Sequence, residues 1–127
     1  MKTRLIAITA TAAVLASFQP IMFAAEEEEI PKEVVLAAYK KNCAACHGMD
    51  GKGETRMGKK AGTLDYTDIK VIEEIKKKKP EVVFKHIKEG MEVDGKEKMK
   101  PFDKKLKDPE IKALIKHILT AFLPKEK

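Results

Sequence analysis

The stretch Cys43-Ala44-Ala45-Cys46-His47 decides how this chain is interpreted. It contains both cysteines of the 127 residues, separated by two alanines and followed directly by a histidine. Residues three apart lie on the same side of a helical turn, so the two thiols face one ligand. The small alanines allow a planar group to lie close to the backbone. The pattern therefore predicts that two sulfur atoms and one imidazole act on a single large group.

This spacing is the attachment signature of c-type haem. Two residues between the cysteines match the two vinyl groups of a haem, and each thiol adds to one vinyl group as a thioether. The histidine that follows is thereby set under the iron as an axial ligand. We expect one covalently bound haem c, attached at Cys43 and Cys46, with its iron held by His47.

A cysteine pair at this spacing has three other interpretations: a dithiol redox pair, a structural disulfide, or half of a zinc site. A thioredoxin-like pair needs a βαβ pattern, which the sequence does not show. A zinc site needs a second pair of ligands, and the chain has no other cysteine. The adjoining histidine and the helical pattern around it favour haem.

Apolar residues recur at helical spacing in four segments, and no segment is a convincing strand. Pro31, Pro80 and Pro109 suit the first turns of three of these helices. Thr67 or Asp68 is the predicted N-cap of the second helix and Asp108 that of the last, and Gly90 is the predicted stop of the third. The wide apolar stripe of the last segment is typical of a helix packed on a core. The helices are predicted from Pro31 to Cys46, from Thr67 or Asp68 to Pro80, from Pro80 to Gly90, and from Asp108 to Pro124.

The two segments between these helices, 48–66 and 91–107, have no clear period and are predicted as long loops. Long loops in a compact domain are usually functional. One follows the cysteine motif, and the other contains Met99-Lys100-Pro101-Phe102. A domain of this size without tryptophan has a limited apolar core, which a large apolar cofactor would complete.

The first 25 residues are predicted to be a signal peptide. Lys2 and Arg4 form a positive start, residues 5–25 carry no charge, and an acidic run follows. We expect cleavage after Ala25, with the bond after Ala24 as the alternative. An uncharged run of this length would also span a bilayer if it stayed uncleaved, although its polar residues and many alanines favour cleavage. Residues 26–127 are then the mature domain, in the periplasm or otherwise outside the cytoplasm.

From about residue 34 to residue 123 the sequence resembles the class I cytochromes c. Tyr39 stands four residues before Cys43, where that family usually has an aromatic residue. The resemblance implies a small all-α fold of about four helices and long loops wrapped around one covalently attached haem. It also implies His47 and Met99 as the two axial ligands. The other segments that carry it are Asp50-Gly51-Lys52-Gly53 after the motif, Met99-Lys100-Pro101-Phe102, and Glu110-Ile111 with Leu114.

Two positions depart from the family pattern. Val35 stands where many members have a glycine that lets the first and last helices cross closely. We therefore expect a wider contact there, or one made through Ala38. Gly62 stands about where many members have a proline near the histidine ligand. Its carbonyl would still be able to accept a hydrogen bond from the His47 ring, and such bonds orient the ring and tune the metal.

Met99 is the preferred sixth ligand of the iron. Pro101 stiffens the backbone beside it, so its thioether can reach the iron from the face opposite the histidine. Met91 is the next candidate. Met57 is expected to be apolar cover on the histidine side, and Met49 is too close to the histidine to reach the other face.

Two further arrangements of the sixth position stay open. His86 or His117 would give bis-histidine ligation, but both lie inside predicted helices and are expected to be partly exposed helix residues. An open sixth position would indicate gas binding or peroxide chemistry.

Histidine–methionine ligation stabilises ferrous over ferric iron and fits an electron carrier. Lysines on both loops would form a positive ring that attracts redox partners with acidic surfaces, unless they serve only solubility. The ring would consist of Lys52, Lys59, Lys60, Lys98, Lys100, Lys104 and Lys105. Because export is predicted and the net positive charge, formally +6, is modest, no nucleic-acid partner is expected. Membrane contact is expected only if the N-terminal segment stays uncleaved.

Three functions compete on this evidence. The first is a diffusible periplasmic electron-transfer protein with one haem c. The second is a haem subunit of a larger oxidoreductase complex, and the third is a sensor or enzyme whose iron binds a small ligand. The sequence shows no dinucleotide-binding loop, no nucleophile–base pair and no paired carboxylates in one site. We therefore do not expect an independent catalytic centre.

Overall fold

A computed structural model describes residues 29–123, which form six helices and one β-hairpin. The predicted all-α fold is confirmed, and the four predicted helices correspond to α1 with α2, then α4, α5 and α6. The signal peptide and Pro124 lie outside the described residues. The elements are α1 (Lys32–Asn42), α2 (Ala44–His47), α3 (Arg56–Ala61), α4 (Ile69–Lys77), α5 (Pro80–Glu89), β1 (Met91–Val93), β2 (Lys96–Met99) and α6 (Asp108–Ala121).

The core lies where α1, α4 and α5 pack against α6. Its most buried side chains are Tyr39, Ile72, Ile111 and Leu114, none more than 1% exposed. Burying a side chain of this size contributes roughly 1.5–3 kcal/mol. The apolar stripe of α6 thus faces the core as predicted. On α4, Ile72 and Ile75 are buried, but Ile69 at the start of the helix is 51% exposed.

The contact between the first and last helices forms despite the departure at Val35. Helix α1 packs on α6, Val35 is 7% exposed, and Ala38 packs against the same core. A branched side chain therefore fills the position for which the family pattern has a glycine.

The first helix ends earlier than predicted, at Asn42 rather than at Cys46. The side-chain amide of Asn42 donates to the Ala38 carbonyl at 3.0 Å, a local bond that competes with helix continuation. Cys43 then joins α1 to the separate short helix α2.

A short helix, α3, lies within the first predicted loop. The Thr55 hydroxyl caps its start by accepting from the Gly58 N–H at 2.9 Å. Gly62 ends it in the left-handed conformation, with φ of 70°.

A two-stranded hairpin lies within the second predicted loop. Asp94 and Gly95 connect β1 to β2 with φ of 52° and 70°, the positive values that a two-residue type I′ turn requires. The strands pair antiparallel with an irregularity after Met91, so that Met91 lies opposite Met99. The expectation that no strand forms is therefore wrong for this segment.

The last helix begins with Lys107 as its N-cap rather than Asp108. The Lys107 backbone N–H donates to Glu110 Oε2 at 2.8 Å, and Pro109 lies in the first turn as predicted. The Asp108 carboxylate instead pairs with Lys88 Nζ at 2.9 Å and so links α6 to α5. Within residues 29–123, no helix has the length and apolarity needed to cross a membrane.

Candidate functional site

The cysteine motif begins at the junction of α1 and α2. Cys43 precedes α2, Cys46 lies within it, and His47 is its last residue. Both cysteines are free and partly buried, so the alternative of a disulfide between them is not realised here. Burial, with the Cys46 thiol nearby, raises the pKa of Cys43 to about 11. Two free thiols thus lie within one short turn, available for covalent attachment.

Hydrogen bonds fix the carbonyl groups at the end of α2, which a helix terminus would otherwise leave unpaired. The Thr55 hydroxyl lies 2.8 Å from the Ala45 carbonyl and 2.9 Å from the Cys46 carbonyl, within donating distance of both. The Gly53 N–H donates to the His47 carbonyl at 2.8 Å. The loop after the motif therefore folds back and holds the histidine in place.

Helix α3 packs against α2 through a glycine. Gly58 is buried, and a Cβ atom there would overlap the carbonyl oxygens of Cys46 and Gly53. Only a residue without a side chain permits this approach. The close contact explains why an interior helix position, where glycine is otherwise unfavourable, carries one.

Tyr39 connects the motif to the core. Its hydroxyl donates to the Gly48 carbonyl at 2.9 Å, and its ring contacts His117 and Phe122 with centroid distances of 5.5 and 5.3 Å. Burial raises the pKa of Tyr39, so the phenol stays protonated and can donate.

The imidazole of His47 is neutral and has one nitrogen without a partner. Burial lowers the pKa of His47 to about 4. Nε2 lies 3.4 Å from the Tyr66 hydroxyl, while Nδ1 is buried and makes no hydrogen bond within residues 29–123. The bond that the Gly62 carbonyl was expected to accept is therefore not formed. A neutral ring with an unsatisfied buried nitrogen is a suitable metal ligand.

Met99 ends strand β2, is partly buried and packs against the core. Helix α3 lies beside both α2 and β2, so it connects the strand that carries Met99 to the cysteine motif. Met91, the second candidate, faces Met99 across the hairpin and is also partly buried. Met49 and Met57 are 58% and 51% exposed.

The two histidines of the bis-histidine alternative lie on separate helices. His86 is partly exposed on α5, and His117 on α6 packs its ring against Tyr39 and Phe122.

The described residues fit a covalently attached haem. Two free thiols, a neutral imidazole with an unpartnered nitrogen and a partly buried thioether supply the attachment points and both types of axial ligand. Ala44, next to Cys43 in the chain, and Phe102, three residues after Met99, are also only partly buried and add apolar surface. Sequence reasoning missed Thr55, Gly58 and Tyr66, which support this arrangement without any ligand role.

Comparisons with known proteins agree with this geometry. Residues 34–118 match the family described as cytochrome c oxidase, cbb3-type, subunit III. A solved structure described as KustC0563 c-type cytochrome is similar, with a TM-score of 0.58 and 29% sequence identity, over 70% of this chain and 96% of that one. A search of curated proteins finds no match. The matched residues include the cysteine motif and Met99.

Proposed function

This chain belongs to the family of the cbb3-type cytochrome c oxidase subunit III and is a class I c-type cytochrome with covalently bound haem c, and from that premise we propose that it is a periplasmic protein carrying single electrons between redox partners. The observation that supports this best is the motif on α2. It combines two free thiols with a partly buried, neutral imidazole whose buried Nδ1 has no hydrogen-bond partner within residues 29–123. The uncharged segment 5–25 supports export.

We assign Cys43 and Cys46 as the attachment points, His47 as one axial ligand and Met99 as the other. The bound group supplies a one-electron ferric/ferrous couple, and histidine–methionine ligation raises its reduction potential. The protein residues hold the ligands in place: Thr55 and Gly53 fix the backbone of α2, and the hairpin fixes Met99. If His47 and Met99 both held the iron, no position would remain for a substrate, and the chemistry that the group would supply is electron transfer alone.

The optical spectrum of the purified ferric protein tests this assignment. We expect the weak near-infrared band of an iron–methionine bond, and we expect Met99→Ala to abolish it. Met91→Ala is the matched control, because Met91 is the same residue type on the paired strand. Loss of the band in Met91→Ala but not in Met99→Ala would assign the ligand to Met91.

The same preparation distinguishes an electron carrier from a sensor or enzyme. If the wild-type ferric protein lacks the band and its reduced form binds carbon monoxide readily at neutral pH, the sixth position is open. The proposal of an electron carrier whose iron has two protein ligands would then be rejected in favour of small-ligand chemistry.

A second candidate function is that of a haem subunit in a larger oxidoreductase complex. The description of the matching family as an oxidase subunit favours it. Purification from membranes and from the soluble extracytoplasmic fraction under mild conditions separates the two. A constant stoichiometric partner indicates a subunit, and a monomeric haem protein in the soluble fraction indicates a diffusible carrier.

Lysines on the two loops form the proposed docking ring for acidic partners. Lys98 is partly exposed and the others are exposed, and none forms an ion pair within residues 29–123. Free ammonium groups near the attachment motif and near Met99 would speed the encounter with an acidic surface at low salt. The rate of electron transfer to a redox partner should therefore fall with rising ionic strength, and a flat dependence rejects the ring. Its members are Lys52, Lys59, Lys60, Lys98, Lys100, Lys104 and Lys105.

A further inference from the structure

The tripeptide Asp-Gly-Lys occurs twice in this chain, at residues 50–52 and at residues 94–96. The second copy lies at the turn between β1 and β2, where the structure exposes it to solvent. Asp94, Gly95 and Lys96 are all exposed, and a Cβ atom added at Gly95 would meet nothing within 4 Å. The same chemical sequence thus occurs in two surroundings, which can be compared within one molecule.

An aspartate followed by a glycine can rearrange without an enzyme or a second reactant. The backbone nitrogen of the glycine attacks the carbon of the side-chain carboxylic acid, a C–N bond forms, and the acid OH leaves as water with the amide proton. Water then opens the five-membered succinimide ring at either carbonyl carbon. This returns aspartate or gives isoaspartate, with no net change in mass. Glycine favours the attack because its backbone rotates freely and it has no side chain to hinder the approach.

Three contacts hold the first copy in a conformation that hinders this attack. The Gly51 N–H donates to the Gly48 carbonyl at 3.3 Å, and the Asp50 carboxylate accepts from the Lys52 N–H at 3.1 Å. Gly51 is also buried, and a Cβ atom there would overlap the ring of Phe122. Attack by the Gly51 nitrogen therefore requires the loss of two hydrogen bonds and of this packing.

The second copy has none of these restraints within residues 29–123. Neither the Gly95 N–H nor the Asp94 carboxylate has a hydrogen-bond or ion-pair partner there. Asp94 has a positive φ of 52°, which is uncommon for a residue with a side chain. A two-stranded hairpin is only marginally stable by itself, so its turn opens readily and the peptide between these two residues can rotate. Asp94 is therefore the more reactive of the two aspartates.

We propose that Asp94 is a site of spontaneous isoaspartate formation and that this change loosens the hold of the hairpin on Met99, a consequence that rests on the proposed ligand role of Met99. Isoaspartate carries the main chain through its side chain, so the turn gains one backbone atom. A type I′ turn needs two residues with positive φ between the strands, which the longer turn does not provide. Val93 and Lys96 then lose their pairing, and Met99 on the same strand loses part of its support. The turn would thus limit the working lifetime of the electron carrier.

The test incubates the haem-loaded protein for several weeks at neutral pH in water enriched in heavy oxygen. Each ring opening adds one heavy oxygen atom, and trypsin digestion in ordinary water separates the two copies into peptides 89–96 and 42–52. Two hydrogen bonds of ordinary strength correspond to roughly a tenfold difference in opening. We therefore expect label at Asp94, located by fragment masses, to accumulate at least about tenfold faster than at Asp50. An isoaspartyl methyltransferase should methylate peptide 89–96. Equal uptake at the two aspartates, or no uptake at Asp94, would overturn the proposal.

The optical spectrum of the same samples tests the consequence for Met99. The near-infrared band of the iron–methionine bond should decrease in the wild type in proportion to its isoaspartate content. Asp94→Gly is the matched control, because a Gly-Gly turn keeps the type I′ geometry and has no carboxylate to react. Its band should persist through the same incubation.

Two outcomes of the spectrum would count against the coupling to Met99. A band that persists in protein converted to isoaspartate would overturn it and show that contacts at the base of the hairpin hold the ligand, where Gly90 lies close to the Met99 carbonyl. Absence of the band from the fresh protein would reject Met99 as the ligand and the consequence with it. The uptake of label at Asp94 decides on the modification in either case.

Discussion

The ring of Tyr66 lies face to face with the imidazole of His47, with ring centroids 4.7 Å apart and planes inclined by 10°. Its hydroxyl is 3.4 Å from His47 Nε2. Tyr66 is only 7% exposed, and burial raises its pKa, so it stays a neutral phenol. Its backbone N–H donates to the Gly51 carbonyl at 2.8 Å, which anchors it to the loop after the motif. The surroundings of the proposed iron ligand are thus set by a residue nineteen positions along the chain.

Tyr66→Phe tests whether this hydroxyl influences the iron. The substitution keeps the stacked ring and removes the hydroxyl that lies 3.4 Å from His47 Nε2. A ligating histidine that donates its other ring N–H to a partner, here the Tyr66 hydroxyl, becomes more basic, and a more basic ligand favours ferric iron. We therefore expect the reduction potential to rise by roughly 20–60 mV, which corresponds to one hydrogen bond. A redox titration of both haem-loaded proteins measures it.

Tyr39→Phe is the matched control for that titration. It removes a phenol hydroxyl that donates to Gly48, but the Tyr39 ring does not stack on His47. It should lower the free energy of unfolding by about 0.5–1.5 kcal/mol and leave the potential unchanged. Equal potential shifts in both variants would mean that the Tyr66 effect is a general loss of stability.

The parts of this fold that local chemistry determines could be predicted from the sequence. Pro80 separates two helices because it lacks an N–H and suits a first turn, and Gly90 ends the second of them. Asp68 caps α4 by accepting from the Lys70 N–H, as its position before an apolar period indicated. The cysteine motif predicted haem attachment because its spacing and adjoining histidine combine with a helical pattern and the lack of any other cysteine, which disfavour a dithiol pair and a zinc site.

The missed features depend on contacts between distant segments, with one exception. Helix α3 has six residues and an interior glycine, so its stability comes from packing on α2 rather than from its own pattern. Nothing in the spacing of Tyr66 and His47 indicates that their rings meet. The exception is the hairpin, since Asp94-Gly95 is a strong local turn signal that a search for longer strands overlooks.

Thr55 should be the most sensitive polar residue of the site. Its hydroxyl lies within hydrogen-bonding distance of two carbonyls of α2 and also accepts from the Gly58 N–H. Thr55→Val keeps the shape and removes every one of these bonds. We expect a loss of about 1–2 kcal/mol in the free energy of unfolding, measured by denaturant titration. Thr55→Ser retains the hydroxyl and should recover most of it; a serine variant as unstable as the valine variant would contradict this account.

Gly58→Ala should destabilise the protein, although alanine is the better helix former. At an ordinary interior helix position the change gains up to about 1 kcal/mol. Here the new Cβ would overlap the carbonyl oxygens of Cys46 and Gly53, and such overpacking costs roughly 1–3 kcal/mol. Lys60→Ala, at an exposed position of the same helix, is the control and should be nearly neutral. The midpoints of thermal unfolding of both variants, compared with that of the wild type, test this prediction. A stabilised Gly58→Ala variant would show that α3 does not approach α2 this closely.

His117 should make stability depend on pH. Its ring packs against Tyr39 and Phe122, and burial, together with the positive charge of Lys32, lowers its pKa below the ordinary value. The unfolded chain, in which a histidine titrates near pH 6.5, therefore takes up this proton before the folded protein does. The contribution of the neutral ring is complete above that pH and is lost as the pH falls toward the lower folded value.

The measurement is the difference in the free energy of unfolding between the wild type and His117→Gln, followed from about pH 8 to pH 5. Groups common to both proteins cancel, so the wild type should lose stability relative to the variant as the pH decreases. Lys32→Gln provides a second comparison, because removing that positive charge should weaken the dependence without removing the ring. A difference that stays constant over the whole range would show that His117 takes up its proton equally easily in the folded and unfolded states, and that its packing against Tyr39 and Phe122 imposes no cost on the charged form.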